Sequence, residues 1–594
     1  MCKRIITLLA ILIGSIFLLV ACNKDDSDSK KQEQQNSKPT EKVEKKASQE
    51  VSTGGTVIGA MAQAPRGMFN PLFYEEMYEK NIIDFIYESL VIQNEQLEYV
   101  PHLATKWKAN KDQTALTFEL AKNVKWHDGK PFTAHDVVFT YQLLADPKYT
   151  EAGGIRTTYV YSLLGYDHYQ SGNDETFQGV TADDDYTVTF KFAESTINPL
   201  QIASFPIIPK HIFEDIPIED IPTVPESLQP KHIVGTGPFS FESMQEGEVY
   251  TLTRFDDYWQ GTPHLDTIEW KVIPKNVLGD LLKLGDIDFV SEPHGLPLED
   301  IEKVKEKNMF TFIEQPSFHY YYLGFKHAFR SKNDVENSLL EPENWVKHDK
   351  LADKKLRQAI ALSIDRQQII DTLLQGHGEI IHTPIAKQMW AYDETTKLAF
   401  NPKKAESLLA ELGYKKKNKD GYFEDESGNE LILQLHYPAS SKNNLRDKIA
   451  ELIEEMLQHT GIHVKVREPK EMALFMEDIS SDVNMDMFLL NGSLNQTDPD
   501  PSDFWSARSI YNFSRWNHAD ADKLLKEAKK GPKALKQDYR KKKYAAWQKI
   551  FVEELPVLPL YVPNKIWAHH NRLQGVSPLP HTMHHHAHLW SVED

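Results

Sequence analysis

A short apolar run at the N-terminus, closed by a cysteine, constrains this chain more than any other feature. Lys3 and Arg4 open it, and Ile5 to Val20 are almost wholly apolar. The run is short for a membrane-spanning helix and starts at the chain's beginning, so it reads as a secretion signal that is removed. The remainder is then expected to fold outside the cytoplasm. Only Cys2 and Cys22 occur in the 594 residues, and Cys2 lies within the signal. The mature chain therefore folds without a disulfide despite an oxidising destination. Its stability must come from buried apolar surface, which a chain of this length supplies.

With 40% apolar and 26% charged residues the body reads as an ordinary globular protein, and its length predicts several domains. The net charge of −20 becomes more negative once Lys3 and Arg4 are lost, which argues against nucleic acid as a partner. Between Asn23 and Ser52 the chain is Lys, Glu, Asp, Gln and Ser with almost nothing apolar, a composition expected to stay disordered. Its acids and lysines balance, so as a flexible coil it spans about 30 Å.

Leu19-Val20-Ala21-Cys22 resembles the lipobox of bacterial lipoproteins. That resemblance implies a signal peptide over 1–21, cleavage before Cys22, acylation of Cys22 with palmitate-type chains, and a linker over 22–52 tethering the body to a membrane. The alternative is an ordinary secretion signal with a chance cysteine.

After Thr53 the pattern mixes strand and helix. Leu116, Phe118 and Leu120 alternate with Thr117 and Glu119, a half-buried strand. Thr133 and Asp136 have capping-box spacing ahead of Val137, Val138, Tyr141 and Leu144. Asn401-Pro402 opens a helix through Ala405, Leu408, Leu409 and Leu412 that Gly413 ends. Leu445 to Leu457 carries apolar residues at helical spacing, then Gly461 and a strand through Ile462, Val464 and Val466. HExxH, GxSxG and Walker-type signatures are absent from the sequence. The glycines of Gly235-Thr236-Gly237-Pro238 read as a backbone crossing or turn.

Four blocks together resemble the family 5 extracellular solute-binding proteins, the oligopeptide and dipeptide receptors of ABC importers. They are Leu103 to Asp146, Val234 to Ile273 (with Asp257-Tyr258-Trp259 and Leu265-Asp266), Leu356-Arg357-Gln358-Ala359 with Ile364-Asp365-Arg366, and Gly492 to Phe504 with Asp498-Pro499-Asp500-Pro501. The resemblance implies an α/β fold of two lobes, periplasmic-binding-protein-like of the class II or cluster C type, with an extra subdomain inserted in the first lobe. The first lobe would comprise 53–300 and 555–594, with the subdomain over about 93–202, and the second 301–554. Chain crossings near Phe318 to Phe325 and Leu558 to Trp567 would form a hinge.

In that family an extended peptide lies between the lobes, its main chain paired with strand edges and its side chains in wet pockets. A ligand amine needs a carboxylate partner, and family peptide receptors place an aspartate shortly after a Gly-Trp pair. Here Gly492 matches the glycine, Ser493 replaces the tryptophan, and the aspartate position falls on Thr497. Asp498 and Asp500 remain as anchors, or Asp-Pro-Asp-Pro is a rigid turn capping the next helix. The resemblance also places Phe69, Tyr320 and Met472 at the cleft, where each has a core role as its alternative.

Seven histidines follow Trp567, including a His584-His585-His586 run. Imidazole suits Zn, Cu or Ni, yet no ligand spacing of a closed site accompanies the run, which reads instead as a surface tract. The expected protein is a monomeric, lipid-anchored, extracytoplasmic receptor that captures oligopeptides or dipeptides and delivers them to a permease and its ATPases. It is not an enzyme, and it needs no metal or cofactor. The rivals are a nickel-complex or haem receptor of the same fold and an extracytoplasmic peptide hydrolase.

Overall fold

The computed structural model describes residues 52–440 and 444–593, all within one compact unit, Val51–Asp594. Cys22, the signal and all of the linker but Ser52 lie outside the described residues.

The elements that build the site are, in chain order, β1 (Thr56–Met61), α1 (Met77–Ile86), β2 (Ala104–Ala109), β3 (Ala115–Leu120), α2 (Ala134–Ala145), β4 (Val180–Asp184) and β5 (Thr187–Lys191). Then come β6 (Phe239–Gln245), β7 (Val249–Arg254), β8 (Thr267–Val272), β9 (Phe289–Val290), β10 (Phe310–Pro316) and β11 (His319–Phe325). The later ones are β12 (Gly378–Glu379), α3 (Pro402–Glu411), β13 (Ile432–His436), α4 (Leu445–Thr460), β14 (His463–Val466), α5 (Met472–Ser480), β15 (Met487–Ser493), α6 (Gln537–Glu554) and β16 (Val557–His570).

One sheet runs through the whole body in the order β14-β13-β15-β11-β16-β9-β1-β8-β7-β6, with β10 and β12 also paired to β16. It is mixed: β1 is parallel to β8 and β9, and β13 to β14 and β15, whereas β11 and β16 pair antiparallel. Residues 104–191 contribute a separate four-stranded sheet, β2-β3-β5-β4. On β3, Leu116, Phe118 and Leu120 are buried and Glu119 is exposed, as the alternation predicts.

The strand β16 joins two sets of cores. Leu558, Leu560 and Tyr561 pack in one hydrophobic core and Val557 and Val562 in a neighbouring one. Beyond Pro563-Asn564-Lys565, which are only half-buried, Ile566, Trp567 and Ala568 pack in cores built largely from residues before 320. The chain makes the reverse passage between β10 and β11, because Phe310, Phe312 and Ile313 pack in the cores that hold Ile566 to Ala568, Ile313 and Trp567 in the larger, first core, and Phe318, Tyr320 and Leu323 pack in the cores that hold Val557 to Val562. The change of core therefore falls at Pro316-Ser317 and at Pro563–Lys565.

Local signals act as the sequence predicts. The Thr133 amide donates to Asp136 Oδ2 over 2.9 Å at the start of α2, and Asn401 Oδ1 accepts the Lys404 amide over 3.1 Å at the start of α3. Gly461 ends α4 with a φ of +98° before β14 begins.

Candidate functional site

The site grows from the C-terminal end of α1. Ile82, Ile83, Phe85 and Ile86 fix the helix in the first core, which leaves Lys80 and Asp84 one turn apart on its other side. The segment Gly235–Gly237 crosses the end of the helix, and the Gly237 amide donates to the Ile86 carbonyl over 2.8 Å. A Cβ at Gly235 would overlap that carbonyl, so the crossing needs glycine, in agreement with the sequence reading. His127 braces the crossing from below: its Nε2 lies 2.9 Å from the Gly237 carbonyl and its Nδ1 accepts the Gly235 amide over 3.2 Å.

A cavity of about 390 Å³ opens over this helix end. Lys80, Asp84, Tyr87 and Glu88 form one wall and the histidine tract another, while Gln496 and Thr497 reach in from the second lobe. Two bonds tie the lobes together at this point: Gln93 Nε2 donates to the Gln496 carbonyl over 2.9 Å, and Asn198 Nδ2 to the Thr497 carbonyl over 3.1 Å. Leu97, from the hairpin that carries Gln93, is buried in a core of the second lobe.

Charges on the wall are unequally satisfied. Glu88 is held by the Tyr258 hydroxyl at 2.7 Å and the Trp259 indole N–H at 3.0 Å, with His102 at 3.3 Å. Asp84 is paired with Lys80.

The histidine tract corrects the surface reading. His584 and His588 are buried, because Met583, Ala587 and Trp590 draw the segment into the first core, and the His584 ring packs 4.9 Å from that of Phe85. Burial holds the imidazoles neutral, lowering His581 and His588 to about 4 and His585 to about 3. Among the described residues no three His, Cys, Asp or Glu side chains gather to hold a metal ion.

The residues expected at the ligand do not line this cavity. Asp498 is bound by Arg540 Nη2 at 2.5 Å and Asp500 by Lys529 at 2.8 Å. Asp500 also accepts the Ser502 amide over 3.2 Å and the Ser502 hydroxyl over 2.7 Å, so the turn reading of Asp-Pro-Asp-Pro describes it. Neither aspartate lines the cavity; Thr497, immediately before them, does. Phe69 is wholly buried, edge-on to Phe241 at 5.0 Å, and belongs to the core rather than the cleft. Tyr320 is likewise buried and lies over Gly492, its partner in the β11–β15 register, where a Cβ would come within 2.7 Å of the ring. Ser493 Oγ meets His319 Nδ1 at 3.3 Å, and Met472 begins α5 with its side chain partly exposed. Sequence reasoning missed the wall formed by α1. Its signal is a Lys-Asp pair at i,i+4 in a helix whose other residues are mostly apolar, a pattern shared with many solvated helices.

Comparison with known proteins accords with this geometry. The model of the bacterial extracellular solute-binding proteins, family 5 Middle, matches residues 98–514. The oligopeptide-binding protein AppA of Bacillus subtilis is 29% identical over 582 residues, which cover 96% of each chain. Heme-binding protein A of Haemophilus influenzae is 26% identical over 92% of each chain. The structure of Bacillus subtilis AppA in complex with a nonapeptide superposes with a TM-score of 0.60 at 27% identity, covering 92% of this chain and 100% of that one. With most of its length matched by the family model and its two lobes joined by paired crossing strands, the chain belongs to the bacterial extracellular solute-binding proteins of family 5.

Proposed function

We propose that this protein is the substrate-binding receptor of an ABC importer and that it captures short peptides between its lobes. The observation that carries this reading is the cavity of about 390 Å³ walled by α1 and the histidine tract on one side and by Gln496 and Thr497 on the other. A ligand held there touches both lobes and stabilises the closed form by its differential affinity for it. The volume falls at the small end of the range for small-molecule sites, which suits short peptides. The names of the AppA relative and its nonapeptide complex support the peptide class.

The receptor does no covalent chemistry: it releases its guest intact to a permease and the associated ATPases. The body works as a monomer on the outer face of the membrane, tethered through acylated Cys22. Its lobes divide at the two changes of core, near residue 317 and near 563–565.

Native mass spectrometry of the protein purified in detergent, followed by denaturing analysis of what it carried, tests this. Intact short peptides are the expected cargo. A nickel complex or haem as cargo, or steady cleavage of added peptides, would replace the reading.

A further inference from the structure

Charge is spread unevenly over this acidic chain. Between Lys523 and Lys549 stand eleven Lys and Arg against two acids, Glu527 and Asp538, in a protein whose net charge is −20. The stretch covers the helix Ala519–Lys529, the loop after it and most of α6, and its buried side chains pack in a core of the second lobe. Three of the eleven are spent on the protein itself: Lys529 holds Asp500, Arg540 holds Asp498 and Lys543 holds Glu527. The others are exposed. Lys523, Lys526, Lys536, Lys541, Lys542 and Lys549 are among them, and no salt bridge holds these six among the described residues.

Helix physics accounts for few of these lysines. Lys526 and Lys529 sit in the last turn of their helix, where a cation suits the dipole. Lys536 does the opposite, since it takes the N-cap of α6 at the positive end and gives no side-chain cap bond. The lysines of α6 also line two grooves. One of about 500 Å³ has Lys536 and Lys542 on its wall, with Asp538 as its acid. The other, of about 360 Å³, gathers Lys397, Lys404 and Lys549, and its acid, Glu553, is already held by Lys354 at 2.6 Å. From Lys536 to Lys549 the helix rises about 20 Å, too long for one small anion and suited to a repeating array of them. Phe400, in the loop between Lys397 and Lys404, is 48% exposed, and an exposed aromatic among lysines fits the headgroup level of a bilayer.

We propose that this face, Lys536, Lys542 and Lys549 of α6 with Lys397, Lys404 and Phe400 beside it, docks on the anionic phospholipid headgroups of the membrane. Each lysine brought near such a surface adds to the attraction, while the acidic remainder of the body is repelled, so the asymmetry turns one side of the second lobe toward the bilayer. A linker spanning about 30 Å keeps the body within reach of that surface. The inference goes beyond the peptide reading and stands without it.

The test uses residues 22–594 with Cys22→Ser, which retain the whole compact unit but carry neither signal nor acyl chain, so the face is measured apart from the tether. Partition is read by flotation, at low ionic strength, with vesicles of phosphatidylcholine alone and of phosphatidylcholine with phosphatidylglycerol in equal parts. The protein is expected to favour the anionic vesicles at least about a hundredfold and to lose that preference in about 0.5 M salt. Lys542→Gln with Lys549→Gln should cut binding to the anionic vesicles about twentyfold, and Phe400→Ser about fivefold. Lys111→Gln with Lys130→Gln, the same charge change on exposed lysines of the first lobe, should leave it within about twofold. Equal partition into both vesicles overturns the proposal, as does a loss from the first-lobe pair that matches the loss from α6. Release from the vesicles by soluble polyphosphate at an equal phosphate concentration, with Phe400→Ser without effect, overturns the lipid assignment in favour of a soluble polyanion.

Discussion

The carboxylate of Asp498 receives Arg540 Nη2 at 2.6 and 2.5 Å, and the guanidinium lies over the Trp390 ring at 5.3 Å. Both side chains are largely buried. An acid so placed cannot accept a ligand amine without stranding Arg540, so this pair belongs to the framework that holds the 496–500 loop against α6. Asp498→Asn should therefore destabilise the protein by about 3 kcal/mol, the cost of leaving one partner of a buried pair uncompensated. Urea denaturation measures this. The double variant Asp498→Leu with Arg540→Met should recover most of the loss, and a single variant as stable as the parent contradicts the assignment.

Gly235→Ala should be among the most damaging small substitutions. The added methyl meets the Ile86 carbonyl at the end of α1, a backbone atom that has no freedom to move aside. A destabilisation of about 3 kcal/mol is expected. Loss of peptide retention at temperatures where the variant is still folded should accompany it, because α1 carries the cavity wall. Thermal melts with and without peptide separate the two effects.

Acid should weaken the same crossing through His127. Burial lowers its pKa to about 4 from an ordinary 6.5, against the Gly237 carbonyl and Asp128, which favour the proton, and protonation would also remove the Nδ1 acceptor that takes the Gly235 amide. A depressed value means that the unfolded chain binds the proton first as the pH falls. The stabilisation is thus complete above pH 6.5, declines between 6.5 and 4, and is gone below 4, amounting to about 3 kcal/mol. Denaturation midpoints of the parent and of His127→Gln across pH 4 to 7.5 should converge toward the acid end. Parallel curves would show that another group carries the dependence.

The bonds from Gln93 and Asn198 to the Gln496 and Thr497 carbonyls join the lobes directly. Each is worth about 1 kcal/mol, and they share no atoms, so Gln93→Ala with Asn198→Ala should shift the closed form by about 2 kcal/mol, roughly thirtyfold. Small-angle scattering of the ligand-free double variant should give a larger radius of gyration than the parent. Saturating peptide should restore the compact value. Equal radii in the absence of peptide would mean that other contacts, such as buried Leu97, hold the lobes.

Local chemistry made the sequence legible where one segment suffices. Thr133 with Asp136, Asn401 with Pro402, and Gly461 each mark an end because a backbone group at that point needs a partner or a left-handed turn, and those needs are met by near neighbours. The alternation on β3 is visible for the same reason. The family resemblance extended this to the two-lobed α/β architecture, in which the matched blocks are mostly turns, caps and strand cores.

The site resisted such reading because its parts lie hundreds of residues apart. Nothing near Asp498 in the sequence announces Arg540 forty-two positions later, and a carboxylate's availability depends on which cation reaches it first. The histidine tract is polar enough to pass for surface, yet Met583 and Trp590 carry it inward against Phe85. By itself, then, the sequence determined the local elements, the disulfide-free body and the family pattern, since these follow from spacing and composition. Only the tertiary structure decided which acids are spent on the protein's own cations and which face the cavity, because charge pairing and burial are set by distances in space.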